Sequence, residues 1–201
     1  MKCMRKIVLF MVMSLDGFIA GSQNELDFEI RDEEIGRFLI PDLLQTVDSM
    51  VMGHELYKGF FQAWPAMAKN SNSPADLVEF AHWVENSPKY VFSHTAAESL
   101  DNDEWKNTIM IEAQSDEEVV AEIAKLKQSP GKDITLFGGV RLAQTLVRLG
   151  LVDEYRFKIQ PIALGSGQPL FKDLAQRMSL KLTFSKVFES GVIALYYVPK
   201  Q

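Results

Sequence analysis

The apolar residues of this chain follow two different spacings, which separate predicted strands from predicted helices. Residues 7–13 are apolar at every position, which is typical of a strand buried on both faces of a largely parallel sheet. Shorter apolar runs, each ending in glycine or polar residues, predict four further strands, at 50–53, 89–95, 108–113 and 134–137. The polar and glycine-containing stretch that follows residue 13 predicts a loop over 14–21.

Helical spacing predominates between these runs. Apolar residues recur at helical intervals over 32–49, where Pro41 is expected to end one helical segment and start another. A helix is predicted to begin at His54, and another covers 76–86 after a polar loop at 68–76. Ser115 and Glu118 form a capping-box pattern that predicts the start of a helix ending before Pro130.

The last third of the chain contains a helix, a strand and a hairpin. The helix after residue 139 directs Ala143, Leu146 and Val147 inward, and the strand from Asp153 runs into a glycine-rich loop. Residues 180–188 and 192–199 predict a terminal antiparallel hairpin. The element order predicts an α/β fold whose mixed, mainly parallel sheet ends in this antiparallel pair, as one domain over residues 1–201.

Composition narrows the functional classes. The net charge is −6 and no long basic block occurs, which argues against a duplex nucleic-acid surface. The apolar run near the N-terminus is too short to span a bilayer and lacks a signal-peptidase site, so no membrane partner is expected. The single cysteine, Cys3, cannot form an intramolecular disulfide, which predicts a cytoplasmic location. The three histidines lack metal-ligand spacing, so no metal site is expected.

Two adjacent glycines, Gly138 and Gly139, join the strand at 134–137 to the next helix. A glycine pair suits a sharp turn, and the unpaired amides of a helix start bind anions, so this turn either holds a phosphate or only changes direction. Arg141 lies in the first turn, where the helix dipole disfavours a cation. A phosphate there would offset that cost; alternatively, the arginine side chain simply extends into solvent.

Three predicted strands end in small or polar turns: at Gly53-His54, at Ser93-His94 and at Gly138-Gly139. Ligands of such sheets bind beyond the carboxyl ends of the strands, so these turns are expected to share one ligand. Backbone amides for a pyrophosphate and hydroxyls or cations for a ribose phosphate suit a dinucleotide. The G-x-G-x-x-G fingerprint of the Rossmann fold is not present at this turn.

Several stretches resemble one family in order along nearly the whole chain. They are FMVMSLDGFIAG (10–21), SMVMGHELYKGF (49–60), the long stretch from ITLFGG to GQPLF (134–171) and the closing hairpin. Together they resemble the reductase domain of riboflavin biosynthesis, the RibD C-terminal type within the dihydrofolate-reductase-like superfamily. The resemblance implies a three-layer dihydrofolate-reductase-like fold, a homodimer and NADPH as cofactor.

The resemblance also implies positions for the cofactor. The pyrophosphate would contact the turn and helix start at 138–142, and the nicotinamide would be bordered by three residues of the first strand and the following loop. The adenosine side and the ribose phosphate would contact the two other strand ends. The implied cofactor residues are Val12, Ile19, Ala20, Gly53, His54, Glu55, Ser93, His94, Gly138, Gly139, Val140, Arg141 and Leu142.

The expected function is hydride transfer from NADPH to a small pteridine- or pyrimidine-like heterocycle, resembling 5-amino-6-(5-phosphoribosylamino)uracil reductase. Asp27 and Asp16 are the candidate proton donors, although Asp16 also suits turn capping and Asp27 a surface loop. Phe28 and Phe137 could stack on a flat substrate or pack in the core. Phe137 stands where the riboflavin reductases usually carry an acidic residue.

Two alternatives remain open at this point. One is a dimeric nucleotide-binding protein of this fold without turnover. The other is a dihydrofolate reductase proper, which predicts a carboxylate facing the pocket from the first helix. Asp32, Glu33 and Glu34 lie at the start of that helix rather than at its middle.

Overall fold

A computed structural model of the chain describes residues 4–69, 73–94 and 105–200, and Cys3 lies outside this part. The chain divides into two compact units, which are described separately. Unit 1 contains Met1–Arg5 and Arg31–Thr135, and unit 2 contains Lys6–Ile30 and Leu136–Gln201. The assignment of residues 1–201 to a single domain stays a prediction.

The described residues form strands and helices in the following order: β1 (Ile7–Ser14), β2 (Phe18–Ala20), α1 (Glu33–Thr46), β3 (Val47–Gly53), α2 (His54–Lys69), α3 (Ala75–Asn86), β4 (Lys89–Ser93), β5 (Thr108–Glu112), α4 (Asp116–Gln128), β6 (Asp133–Gly138), α5 (Val140–Arg148), β7 (Glu154–Gln160), β8 (Gln168–Pro169), β9 (Leu180–Val187) and β10 (Ile193–Pro199). None of the helices in the described part is both long enough and apolar enough to cross a bilayer.

The sheet of unit 1 has the strand order β5-β4-β3-β6. Strands β3 and β4 are parallel, as are β4 and β5, and Gly53 pairs with Phe92 in the register of β3 and β4. Both strands therefore end at the same edge of the sheet. This geometry brings two of the three predicted turns, those after Gly53 and at Ser93, to neighbouring positions.

The boundary between the units falls within β6, after Thr135. The strands of unit 2, counted from β6, have the order β6-β1-β7-β10-β9. Strand β1 is parallel to β7, while β10 is antiparallel to both β7 and β9. The predicted α/β fold, a mainly parallel sheet with a C-terminal antiparallel pair, is confirmed. The loop predicted over 14–21 contains the short strand β2, which pairs with β8 in a separate two-stranded sheet.

Helix α1 passes through Pro41 without a break, so the predicted interruption is wrong. Proline removes the hydrogen bond to the carbonyl of Arg37, which lies on the exposed side of the helix where water can replace it. Buried Leu39 and Leu43 lie on either side of Pro41, and their packing favours a continuous helix. Helix α2 likewise continues through Pro65 to Lys69, into the region predicted as loop.

Lys89, the first residue of β4, is fully buried in unit 1. Its ammonium donates to three carbonyl oxygens, those of Glu85 (3.1 Å), Ser87 (2.9 Å) and Lys106 (3.1 Å), and lies 4.4 Å from the ring centroid of Trp105. The pKa of Lys89 is lowered to about 8, chiefly by burial and also by the nearby charge of Lys106, while the charge of Glu85 opposes the shift. One side chain thus satisfies backbone groups at the end of α3 and before β5.

We expect Lys89→Met to lower the free energy of unfolding by about 2–4 kcal/mol, because it leaves buried carbonyls without a donor. Urea unfolding followed by circular dichroism measures this change. Lys106→Met, which removes an exposed lysine, is the matched control and should change stability far less.

A second comparison uses pH. The folded protein loses the Lys89 proton near pH 8, whereas the unfolded chain keeps it to about pH 10.5. The free energy of unfolding of the wild type therefore rises as the pH is raised from about 8 to 10.5. The Lys89→Met variant lacks this gain. Equal stability of variant and wild type at all pH values would contradict the assigned role.

Candidate functional site in unit 2

The turn between β6 and α5 has a backbone conformation that favours glycine. Gly138 has φ +116° and Gly139 has φ +63°, both in the region that side chains disfavour. A Cβ added to Gly138 would lie 3.2 Å from the terminal methyl of Met11 on β1. The positive φ angles therefore favour glycine at both positions, and a side chain at Gly138 would also require the Met11 methyl to shift.

Among the helices of the described residues, α5 alone has no acidic residue in its first turn; like α3, it also lacks a side-chain cap. In α1 and α4 a side chain caps the first turn, Asp32 in one and Ser115 in the other, and acidic residues follow. Helix α5 has Gly139 at its N-cap, no side-chain cap bond and no acidic residue in its first turn. Its one charged residue there is Arg141, which is exposed. A positive helix dipole, the lack of a side-chain cap and a nearby cation would suit an anion here, and the binding of a phosphate stays a prediction.

The predicted border of the nicotinamide lies on β1 and β2. Ile19 and Ala20 are buried, and Val12 is half-buried. Strand β8 approaches β2 so closely that a Cβ on Gly167 would overlap the carbonyl oxygen of Ala20. The side-chain amide of Gln144 in α5 donates to the carbonyl of Pro169 at 2.7 Å. Helix α5 is therefore tied to the same small sheet.

Asp16 joins two loops of unit 2. Its carboxylate accepts hydrogen bonds from the Ser14 hydroxyl (2.6 Å) and from the amides of Leu164 (3.1 Å) and Gly165 (2.7 Å). The bond from Ser14, followed by that from Gly165, lowers the pKa of Asp16 to about 2. At neutral pH the group is ionised, which suits the turn-capping alternative better than proton donation. Its catalytic role stays a prediction.

The other predicted catalytic and substrate residues of unit 2 are Asp27, Phe28 and Phe137, and none of them is adjacent to Asp16 in the sequence. Asp27 is exposed, and Phe28 beside it is half-buried. Phe137 is also half-buried and meets the ring of Phe10 edge to face, with 6.1 Å between centroids. Both phenylalanines are thus only partly buried, and their role in stacking on a substrate stays a prediction.

Unit 1 carries the remaining predicted cofactor residues at the edge where β3 and β4 end. Within the described residues, Nε2 of His54 is buried and has no hydrogen-bond partner. Glu55 is exposed and pairs with Lys58 at 3.6 Å. Ser93 is half-buried and His94 is exposed. The role of this group in binding an adenosine phosphate stays a prediction.

A family model settles the relationship of the whole chain. The model of the RibD C-terminal domain matches residues 5–194. The chain belongs to the RibD C-terminal domain family. The resemblance seen in the sequence is thereby confirmed.

Known proteins similar to this RibD C-terminal domain include a relative in sequence and two solved structures. The uncharacterized protein YyaP of Bacillus subtilis is 38% identical over 193 residues, covering 96% of this chain and 94% of YyaP. The crystal structure of a putative riboflavin biosynthesis protein from Shewanella sp. PV-4 has a TM-score of 0.68 at 23% identity. The match covers 98% of this chain and 99% of the Shewanella chain. Dihydrofolate reductase from Enterococcus faecalis, complexed with NADP(H), has a TM-score of 0.60 at 11% identity. The match covers 98% of this chain and 97% of the reductase. These structures share the fold.

One feature of this RibD C-terminal domain was missed by sequence reasoning: a buried polar face on β7. Arg156, Lys158 and Gln160 alternate with apolar residues, a pattern that normally indicates a solvated face. The structure buries all three. Lys158 pairs with Glu29 at 3.1 Å, and the side-chain oxygen of Gln160 accepts from the amide of Ile30 at 2.8 Å. The alternation of polar and apolar residues was visible in the sequence. The sequence did not show that the segment with Glu29 and Ile30 contacts this face.

We expect Asp16→Asn to speed hydrogen exchange of the Leu164 and Gly165 amides several-fold, because a neutral amide group accepts hydrogen bonds more weakly than a carboxylate. Mass spectrometry of exchanged peptides measures this. In the wild type the same release should occur on acidification from pH 3.8 towards about 2, as the carboxylate gains its proton.

Asp27→Asn, an exposed carboxylate on the neighbouring loop, is the matched control and should leave those amides protected. Unchanged exchange in Asp16→Asn would show that the loop is held by other contacts.

Proposed function

We propose that this protein is a reductase that binds NADPH at the β6–α5 turn and reduces a small heterocyclic substrate. The observation that carries the proposal is the start of α5: two glycines with positive φ, no side-chain cap and no acidic residue. This is the arrangement that a phosphate group needs at a helix N-terminus.

The relatives support the same class of function. Membership of the RibD C-terminal domain family favours a reductase. A structural neighbour from Corynebacterium diphtheriae is described as pyrimidine reductase-like, with a TM-score of 0.60 at 16% identity. The dihydrofolate reductase of similar fold binds NADP(H). The first description supports a heterocyclic substrate, and the NADP(H) complex supports a nicotinamide cofactor.

The residues of unit 2 would divide the work in a simple way. The amides of Val140, Arg141 and Leu142 would bind the pyrophosphate, and the Arg141 side chain would add charge to that contact. Val12, Ile19 and Ala20 would form an apolar border for the nicotinamide. When bound, NADPH supplies the hydride, so the protein itself needs chiefly to orient the two rings and exclude water. The Asp16 bridge would hold the loops around the nicotinamide border.

Thermal unfolding with NADPH tests the proposal. Saturation at about one hundred times the dissociation constant adds roughly 2.7 kcal/mol, which raises the melting temperature of a chain of this size by about 5–10 °C. An unchanged melting temperature, with no binding by calorimetry, would contradict the proposal. Stabilisation by NADPH without oxidation of NADPH in the presence of any reducible heterocycle would favour the nucleotide-binding alternative.

The arginine tests the position of the cofactor. We expect Arg141→Glu to weaken NADPH binding about tenfold or more, the loss of a charge-assisted hydrogen bond of roughly 1.5–3 kcal/mol. Isothermal titration calorimetry measures the affinity. Arg177→Glu, an equal change of charge at another exposed position of unit 2, should bind like the wild type. Equal affinities of the two variants would place the pyrophosphate elsewhere.

A further inference from the structure

Strand β5 lies at an edge of the sheet of unit 1, and β4 is the one strand of the described part that pairs with it. The amide of Lys89 donates to the carbonyl of Asn107 at 2.8 Å, and the amide of Ala113 donates to the carbonyl of Ser93 at 3.0 Å. Because backbone groups alternate in direction along a strand, odd-numbered residues of this segment bond to β4 and even-numbered ones direct their N–H and C=O groups outward. The outward backbone groups of β5 belong to Thr108, Met110 and Glu112.

A cavity of about 330 Å³ follows this outer edge. Four consecutive residues of β5, 109–112, line it, and their side chains alternate between the two faces of the sheet, so the cavity opens along the edge of the strand. Tyr90 of β4 and Glu122 and Leu126 of α4 complete the lining. Ile109, which lies beside Tyr90 in the register of β4 and β5, is 49% exposed. Apolar surface next to outward backbone groups is the surface that an added strand covers.

The two ends of the cavity differ in charge. Helix α4 starts just after β5 and lines the cavity as it returns along the strand, which places Glu122 nearer to Glu112 and Leu126 nearer to Ile109. Glu122 pairs with Lys125 at 2.5 Å, but this lysine side chain is 69% exposed, so the pair is weak and another cation can replace it. One end of the cavity is therefore apolar, and the other carries two carboxylates.

Charge decides which kind of strand suits this edge. A second copy of the chain, paired antiparallel through β5, would bring its own two carboxylates to the same edge. Like charges placed opposite each other destabilise a pair of strands. An acidic segment of any other protein would meet the same repulsion, whereas a basic segment would be attracted by Glu112 and Glu122.

We propose that β5 accepts an extended segment of a partner protein that carries an apolar residue and, two positions away, a lysine or an arginine. The segment would add to the sheet through the outward backbone groups of β5. Residues two positions apart share a face of a strand, so the apolar side chain would cover Ile109 and Leu126 while the basic one reaches Glu122. This inference is independent of the proposed reductase function, because none of the predicted cofactor residues lines the cavity.

Two capped heptapeptides test it. One has the sequence Thr-Lys-Thr-Val-Thr-Lys-Thr, which places a lysine beside Glu122 in either strand direction, and its matched control has glutamate in place of both lysines. We expect the lysine peptide to bind about fivefold or more tightly, because attraction replaces repulsion at the carboxylates. Titration of nitrogen-15-labelled full-length protein measures both affinities, and the shifted amides should lie at 108–112. The preference should shrink in about 0.5 M NaCl, since salt screens exposed charges.

Three variants locate the contact. Met110→Pro removes one outward N–H, a change that edge strands tolerate, and should abolish binding of the lysine peptide. Glu122→Lys should reverse the preference, so that the glutamate peptide binds more tightly. Glu117→Lys, the same change at an exposed glutamate of α4 outside the cavity lining, should keep the wild-type preference. If Met110→Pro fails to fold, the reversal in Glu122→Lys decides alone.

Three results would overturn the inference: no shift at 108–112 with the lysine peptide, equal wild-type affinities for the two peptides, or an unchanged preference in Glu122→Lys. A fourth would do the same by assigning the edge to a second copy of the chain. In that case the amides at 108–112 would shift with protein concentration in the absence of any peptide.

Discussion

The positive φ angles of Gly138 and Gly139 are the constraint on which the candidate site depends. A side chain at either position would strain the backbone, and at Gly138 it would also press on Met11 of β1. Helix α5 begins directly after this turn, at the end of β6. Its uncapped amides therefore lie where β6 ends, beside the strand that carries Val12.

The loops of unit 2 are built around the same edge. Asp16 holds the β1–β2 turn to the loop before β8, and Gly167 lets β8 lie against Ala20. Glu29 brings the next loop onto β7 through Lys158. Polar contacts at two places, together with the close approach at Gly167, thus hold these loops of unit 2. A ligand bound among them would meet a preformed surface, which lowers the entropy cost of binding.

Much of this was predictable from local pattern, and the rest required long-range contacts. The uninterrupted apolar run of β1, the Ser115 cap of α4 and the C-terminal hairpin followed from spacing and capping chemistry. The continuity of α1 through Pro41 depended on tertiary packing of Leu39 and Leu43, which no local signal reports. The Glu29–Lys158 pair joins residues far apart in the chain, so neither partner was distinguishable from an ordinary surface charge. Phe137 and Phe28 were chosen by residue type, and their half-burial became visible only in the structure.

The β6–α5 turn is proposed to hold the pyrophosphate of NADPH. A crystal structure of the protein with NADPH tests it most directly. We expect pyrophosphate oxygens within hydrogen-bond distance of the backbone amides of Val140, Arg141 and Leu142. A pyrophosphate bound anywhere else, with these amides facing solvent, would contradict it.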